Sequence, residues 1–159
     1  MCERMSATVR AATVSDLESV VALRLALLRE AHASPVYGRL RSDAVRRARR
    51  LFRMQLDSEA EVTFLAEEAR TAVGILRCVE SHGSPLLEPD RYAYVSSVYV
   101  VPELRRTGIL HQMLACAEGW CRARGLDEMR LHSVAGAEAN TAWDRLGFEI
   151  VEHLRVRKL

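Results

Sequence analysis

The chain has 159 residues, 49% of them hydrophobic and 28% charged, with a formal net charge of +2 at pH 7. That length can bury a sizeable core without disulfides or metal, and the composition is neither that of a disordered segment nor that of a membrane protein. The small charge excludes the strong basic surplus of a domain built to hold nucleic acid or a membrane surface.

The first residues, MCERMSATVR, lack the apolar run of a secretory leader, and no stretch of roughly 18 apolar residues occurs anywhere, so a cytoplasmic protein is expected. Residues 7–12 read as a short strand, and Thr13 or Ser15 can cap a helix running over 16–31. Leu17, Val20, Val21, Leu27 and Leu28 form the apolar stripe of that helix, and Arg24 falls inside it. After a turn with Ser34, Pro35 and Gly38, a second helix is expected over 43–56. Its core side carries Ala44, Ala48, Leu51 and Phe52. Arg46, Arg49, Arg50 and Arg53 form its opposite, solvated face.

Residues 61–67 and 72–79 read as an antiparallel hairpin, followed by a loop with Gly83, Pro85 and Pro89. Residues 92–101, rich in tyrosine and valine and stopped by Pro102, suit a central strand. Residues 109–124 have helical periodicity through Leu110, Met113, Leu114, Ala117 and Cys121, with Gly125 as the stop. A strand over 129–134, a helix over 137–145 and a closing strand over 148–156 complete one expected domain spanning 1–159. The cysteines Cys2, Cys78, Cys116 and Cys121 show neither a CxxC pair nor zinc-ligand spacing, so reduced thiols and no metal site are expected.

The segment with most chemical content is 98–109, VYVVPELRRTGI, a strand that turns through a basic, glycine-bearing loop into a helix. A helix N-terminus presents unsatisfied N–H groups and the positive end of a dipole, Gly108 allows close approach of a phosphate, and Arg105 and Arg106 add charge. Val100, Pro102, Arg105 and Gly108 stand as in V-x-P followed by Q/R-x-x-G-x-G/A. This segment resembles the acyl-CoA-binding motif of the GNAT superfamily of N-acetyltransferases. Leu110 departs from that pattern, occupying the final small position. Ala139, Trp143, Arg145, Leu146, Gly147 and Phe148 resemble the family's later A…L-Y-E-K-L-G-F ending, so the matched region covers about 94–150.

The resemblance implies an α/β fold of the acyl-CoA N-acyltransferase type: a mixed, splayed central sheet flanked by helices. It implies acetyl-CoA as co-substrate, bound by Val98, Tyr99, Val100, Arg105, Arg106, Thr107, Gly108, Ile109, Leu110 and Trp143. The pantetheine arm would pair like an extra strand with backbone near Val98 and Val100. The strand before the phosphate loop has Ser96 and Ser97 where the family often places an acid, and Trp143 replaces its usual tyrosine acid. The family's asparagine aligns with Gly136, with Asn140 one turn later. Tyr94, Ser97 and Ser133 are therefore the candidate catalytic residues. The expected activity is acetyl transfer to a primary amine of a small molecule or peptide; a catalytically weak acyl-CoA-binding sensor is the alternative. No nucleic-acid or membrane partner is expected, and a homodimer remains open. Arg24, on the helix that helps wall the acceptor site in the resembling family, would meet an anionic acceptor, snorkel its head to water, or pair with an acid such as Glu67 or Glu68.

Overall fold

A computed structural model describes residues 7–134 and 138–159. Its centre is a five-stranded sheet in the order β1 (Thr8–Ala11), β2 (Glu61–Glu68), β3 (Thr71–His82), β4 (Arg91–Val100), β5 (Met129–Leu131). The first four strands pair antiparallel and β5 joins β4 in parallel. A parallel neighbour needs a crossover, which α3 (Ile109–Ala123) supplies. Helices α1 (Leu17–Glu30) and α2 (Ala44–Leu56) connect β1 to β2, and α4 (Ala139–Arg145) follows β5.

Each sheet face has its own core. Phe64, Ala66, Leu76, Cys78, Ala93 and Val95 pack against Ile109, Met113, Leu114 and Ala117 of α3. On the other face Leu65, Ile75 and Tyr99 meet Leu17, Val20, Val21 and Leu25 of α1 and Ala48 and Phe52 of α2. Gly74 lets α3 come close, since a Cβ there would lie 3.2 Å from Ala66 Cβ and 3.3 Å from both Ile109 Cγ2 and Met113 Cε. At the start of α1, Asp16 accepts the Thr13 N–H at 2.8 Å and closes a single 3-10 turn before the α-helix begins.

Four expectations change. Leu51 is 49% exposed rather than core, because α2 turns only a narrow stripe, Ala48 and Phe52, onto the sheet. The strand expected over 129–134 ends at Leu131, because β5 finds β4 only over Ala93, Tyr94 and Val95. Residues 148–156 are not a strand: they carry no ladder, and Ile150, Val151 and Leu154 are exposed, since a three-residue β5 offers almost no edge to pair with. The hairpin strand expected over 72–79 runs on to His82, where it still faces Arg91 of β4. The start expected for α4 at Ala137, and Gly136 and Cys2, lie outside the described residues. No helix among the described residues is long and apolar enough to cross a membrane. The arginine face of α2 is exposed, with Arg46 paired to Asp43 and Arg49 to Glu18.

Candidate active site

The site begins with an irregularity in β4. Ala93 donates its N–H to Glu128 O at 2.9 Å, so at the start of the strand the odd-numbered residues turn their backbone groups toward β5. At the far end Val101 donates to Val73 O at 2.9 Å, so there the odd residues turn toward β3. The parity reverses because β4 carries one extra residue: Ile75 faces Tyr99 while Arg77 faces Ser96. Ser97 absorbs this bulge in the left-handed region, at φ 56°, a conformation that costs a non-glycine residue about 1–3 kcal/mol and concentrates at functional sites.

Two consequences follow from the bulge. Tyr99 changes face: Ala93 and Val95 look into the α3 core, whereas Tyr99 is buried against α1 and α2. The backbone groups of Val98 and Val100 then point to the side that β5 has already left, which opens the sheet there and leaves an edge with no strand neighbour among the described residues. Their side chains rest on the α3 core.

That edge leads into the glycine-bearing loop. Arg106 (φ 65°) and Gly108 (φ 93°) are both left-handed, and Gly108 is the N-cap of α3. Gln112 is the first residue to bond back, to Gly108 O at 3.0 Å, so the N–H groups of Gly108, Ile109, Leu110 and His111 have no partner within the helix. A Cβ at Gly108 would meet no atom within 4 Å, so the approach to these donors is clear. Ile109 is buried and Leu110 packs on the same core, which leaves the Leu110 N–H available despite its bulky side chain. This concave, donor-rich turn suits a phosphate.

The two arginines differ. The Arg105 guanidinium donates to Val100 O at 2.9 Å and to both Glu30 oxygens at 2.7 and 2.8 Å, and it lies over the Tyr99 ring. It ties the loop to β4 and α1. Arg106 is 86% exposed and meets Glu138 at 2.6 Å, a contact that solvent screens. Thr107 donates its hydroxyl to Leu104 O at 2.7 Å and so braces the turn.

On the α1–α2 side of the opening, Tyr94 Oη and His132 Nδ1 share a hydrogen bond of 2.9 Å across the point where β4 and β5 part. Burial pushes the Tyr94 phenol above its ordinary range, so it keeps its proton at neutral pH. Tyr99 is likewise raised by burial and then by Glu30, whose carboxylate accepts its hydroxyl at 3.2 Å. Ser96 accepts from Arg77 at 3.2 Å, while Ser133 is exposed beyond β5. Trp143 stands edge-on to Phe148, ring centres 5.4 Å apart, and Asn140 donates to Val134 O at 3.1 Å. His132 and the bulge were not visible to sequence reasoning. His132 is one residue of a short strand end, and two successive serines are no distinctive mark of a bulge.

Residues 26–148 match the model of the Acetyltransferase (GNAT) family. Among solved structures, a predicted acetyltransferase of Clostridium acetobutylicum crystallised with acetyl-CoA is similar at 19% identity, covering 95% of this chain and 96% of that one, with a TM-score of 0.78. A GCN5-related N-acetyltransferase from Ralstonia eutropha JMP134 is 22% identical over 96% and 98% of the two chains, with a TM-score of 0.75. The aminoglycoside 6'-N-acetyltransferase AAC(6')-Ig of Acinetobacter haemolyticus is 18% identical over 96% and 97%, with a TM-score of 0.76. A comparison with curated proteins gives no match.

Proposed function

Because the chain belongs to the GNAT acetyltransferase family, we propose that it transfers the acetyl group of acetyl-CoA to the primary amine of a small molecule or peptide. The observation that carries this reading is the opening of β4 at its bulge directly before a helix N-terminus with a left-handed glycine cap. The unpartnered N–H groups of α3 and the clear approach over Gly108 fit a diphosphate. The edge without a strand neighbour, at Val98 and the Val100 N–H, fits an amide-bearing chain that pairs as a strand would, the Val100 carbonyl being held by Arg105. Bound acetyl-CoA supplies an activated thioester. This chain's part is to hold it extended and to direct an N–H of β4 at the carbonyl oxygen that becomes negative.

An aliphatic amine with a pKa of about 10 must lose a proton before it attacks, at a cost of about 4 kcal/mol near pH 7. No carboxylate stands on β4 at the opening, so the Tyr94–His132 pair takes that place. The imidazole accepts the amine's proton, and the phenol, protonated at neutral pH, gives one to the departing thiolate. Ser97 at the bulge and Ser133 beyond β5 complete the candidate catalytic set. A reducing, cytoplasmic setting fits the free thiols of Cys78, Cys116 and Cys121.

The test is steady-state thiol release from acetyl-CoA against a panel of primary amines. Tyr94→Phe and His132→Ala should each lower kcat by about a hundredfold or more, the usual contribution of a proton-handling group. Saturable acetyl-CoA binding with no amine-dependent release would favour a cofactor sensor instead.

A further inference from the structure

Arg24 interrupts the apolar stripe of α1, and the structure puts it half-buried beneath α2, in a narrow cavity that also touches Phe52, Gln55, Thr63, Arg77 and Ser97. The cavity is partly open and small, about 10 Å³, room for one oxygen of a carboxylate whose remainder lies at the mouth. The two guanidiniums there are not equivalent. Arg77 is compensated by the Glu61 carboxylate and also reaches Ser96 Oγ at 3.2 Å. Arg24 has no carboxylate partner among the described residues.

Three acids of the surrounding elements are committed elsewhere, and Glu68, at the far end of β2, makes no ion pair with Arg24. Glu67 pairs with Arg10 at 2.6 Å and Glu30 with Arg105 at 2.7 Å, while Glu18, at the first turn of α1, meets Arg49 at 2.9 Å. The cavity therefore sets two cations against one carboxylate, that of Glu61, and the Arg24 guanidinium, without a protein partner among the described residues, keeps its contact with solvent. Burial first, and then the charge of Arg77, disfavour the protonated form of Arg24. A guanidinium so placed offers paired donors that an anion can meet in place of water. Ser97, the bulge residue, lines the same cavity, so an anion held there is next to the point where β4 opens.

We propose that Arg24, backed by Arg77, forms an anion-binding subsite beside the β4 bulge, and that the acceptor of this chain is a small amine carrying a carboxylate. The inference rests on the acetyl-transfer reading for its location relative to the chemistry. It separates this chain from the aminoglycoside N-acetyltransferases of similar fold: a polycationic acceptor would bring ammonium groups to two arginines and find no unpaired carboxylate beside them among the described residues.

The experiment compares wild type, Arg24→Leu and Arg24→Lys with amino acids and their decarboxylated counterparts as acceptors, following thiol release from acetyl-CoA. The wild type should favour the amino acid in kcat/KM by roughly ten- to a hundredfold, the worth of a charge-assisted hydrogen bond to a carboxylate. Arg24→Leu should lose that preference through KM, and Arg24→Lys should keep part of it. A second readout needs no turnover: amino acids alone should raise the melting temperature of the wild type and not of Arg24→Leu. Arg24→Leu should itself be at least as stable as wild type without ligand, since it removes an uncompensated half-buried cation. A purely structural arginine would give a loss of stability instead. Preference for decarboxylated amines, or an amino-acid shift that survives Arg24→Leu, overturns the subsite. Carboxylate-dependent stabilisation without any thiol release would leave the subsite standing and remove the acetyl-transfer reading.

Discussion

Replacing Gly108 separates backbone strain from cofactor electrostatics. Its φ of 93° is one that L-residues adopt at a cost of about 1–2 kcal/mol, and a Cβ there meets no atom within 4 Å. Gly108→Ala should therefore lose only that conformational term, a fall in Tm of roughly 2–8 °C for a domain of this size. Gly108→Glu carries the same strain and adds a negative charge at the mouth of the proposed diphosphate site. Two unit charges about 4 Å apart cost about 1 kcal/mol in water and more at lower effective dielectric. Against a doubly charged diphosphate in this exposed loop that is about 2 kcal/mol, or roughly a thirtyfold weaker Kd than for Gly108→Ala. Calorimetric titration of acetyl-CoA into both variants, with circular dichroism confirming a native fold, measures the difference. Equal affinities would refute the placement of the diphosphate at the start of α3.

Three other outcomes follow from the packing and charge. Phe52→Ala should destabilise by about 3–5 kcal/mol and Leu51→Ala by less than about 0.5 kcal/mol in urea unfolding, because only Phe52 is in the core. The Arg10 guanidinium and the Thr13 N–H hold the Asp16 carboxyl well below the usual carboxylate range. Its folded pKa is depressed, so its stabilisation is full above the unfolded value of about 3.9 and is lost as pH falls below it. Asp16→Asn should cost about 1 kcal/mol at neutral pH and flatten the acid side of a Tm-versus-pH curve. The neighbouring Cys121 sulfur, and then burial, push the Cys78 thiol up, which keeps it unreactive. A thiol reagent should thus modify the half-buried Cys116 in the native protein and reach Cys78 and Cys121 only on unfolding, as peptide mapping would record.

Much of this architecture was legible in the sequence because its signals are local. The V-x-P stop, the glycine cap and the apolar period of 109–124 place the end of β4 and the whole of α3. The arginine face of α2 was equally plain. What escaped depends on partners distant in the chain. The bulge arises where β4 must pair with β3 and diverge from β5 at once, and it sends Tyr99 to the face opposite Ala93 and Val95. Residues 148–156 alternate like a strand, yet alternation supplies no neighbour, and β5 is three residues long. His132 became a candidate only when the fold set it 2.9 Å from Tyr94. Arg24 stood out in the sequence as an interruption, but its lack of an acid could be read only after Glu67 and Glu30 were found paired elsewhere.

The central claim, acetyl transfer to an amine at the opening of β4, is tested most directly by following an isotope-labelled acetyl group. The protein is incubated with labelled acetyl-CoA and carboxylate-bearing primary amines, and the products are identified by mass spectrometry. The account predicts label on the acceptor nitrogen in step with thiol release, both strongly reduced in His132→Ala. Thiol release that yields only labelled acetate, or acetylated amine formed at equal rates by wild type and His132→Ala, would contradict it.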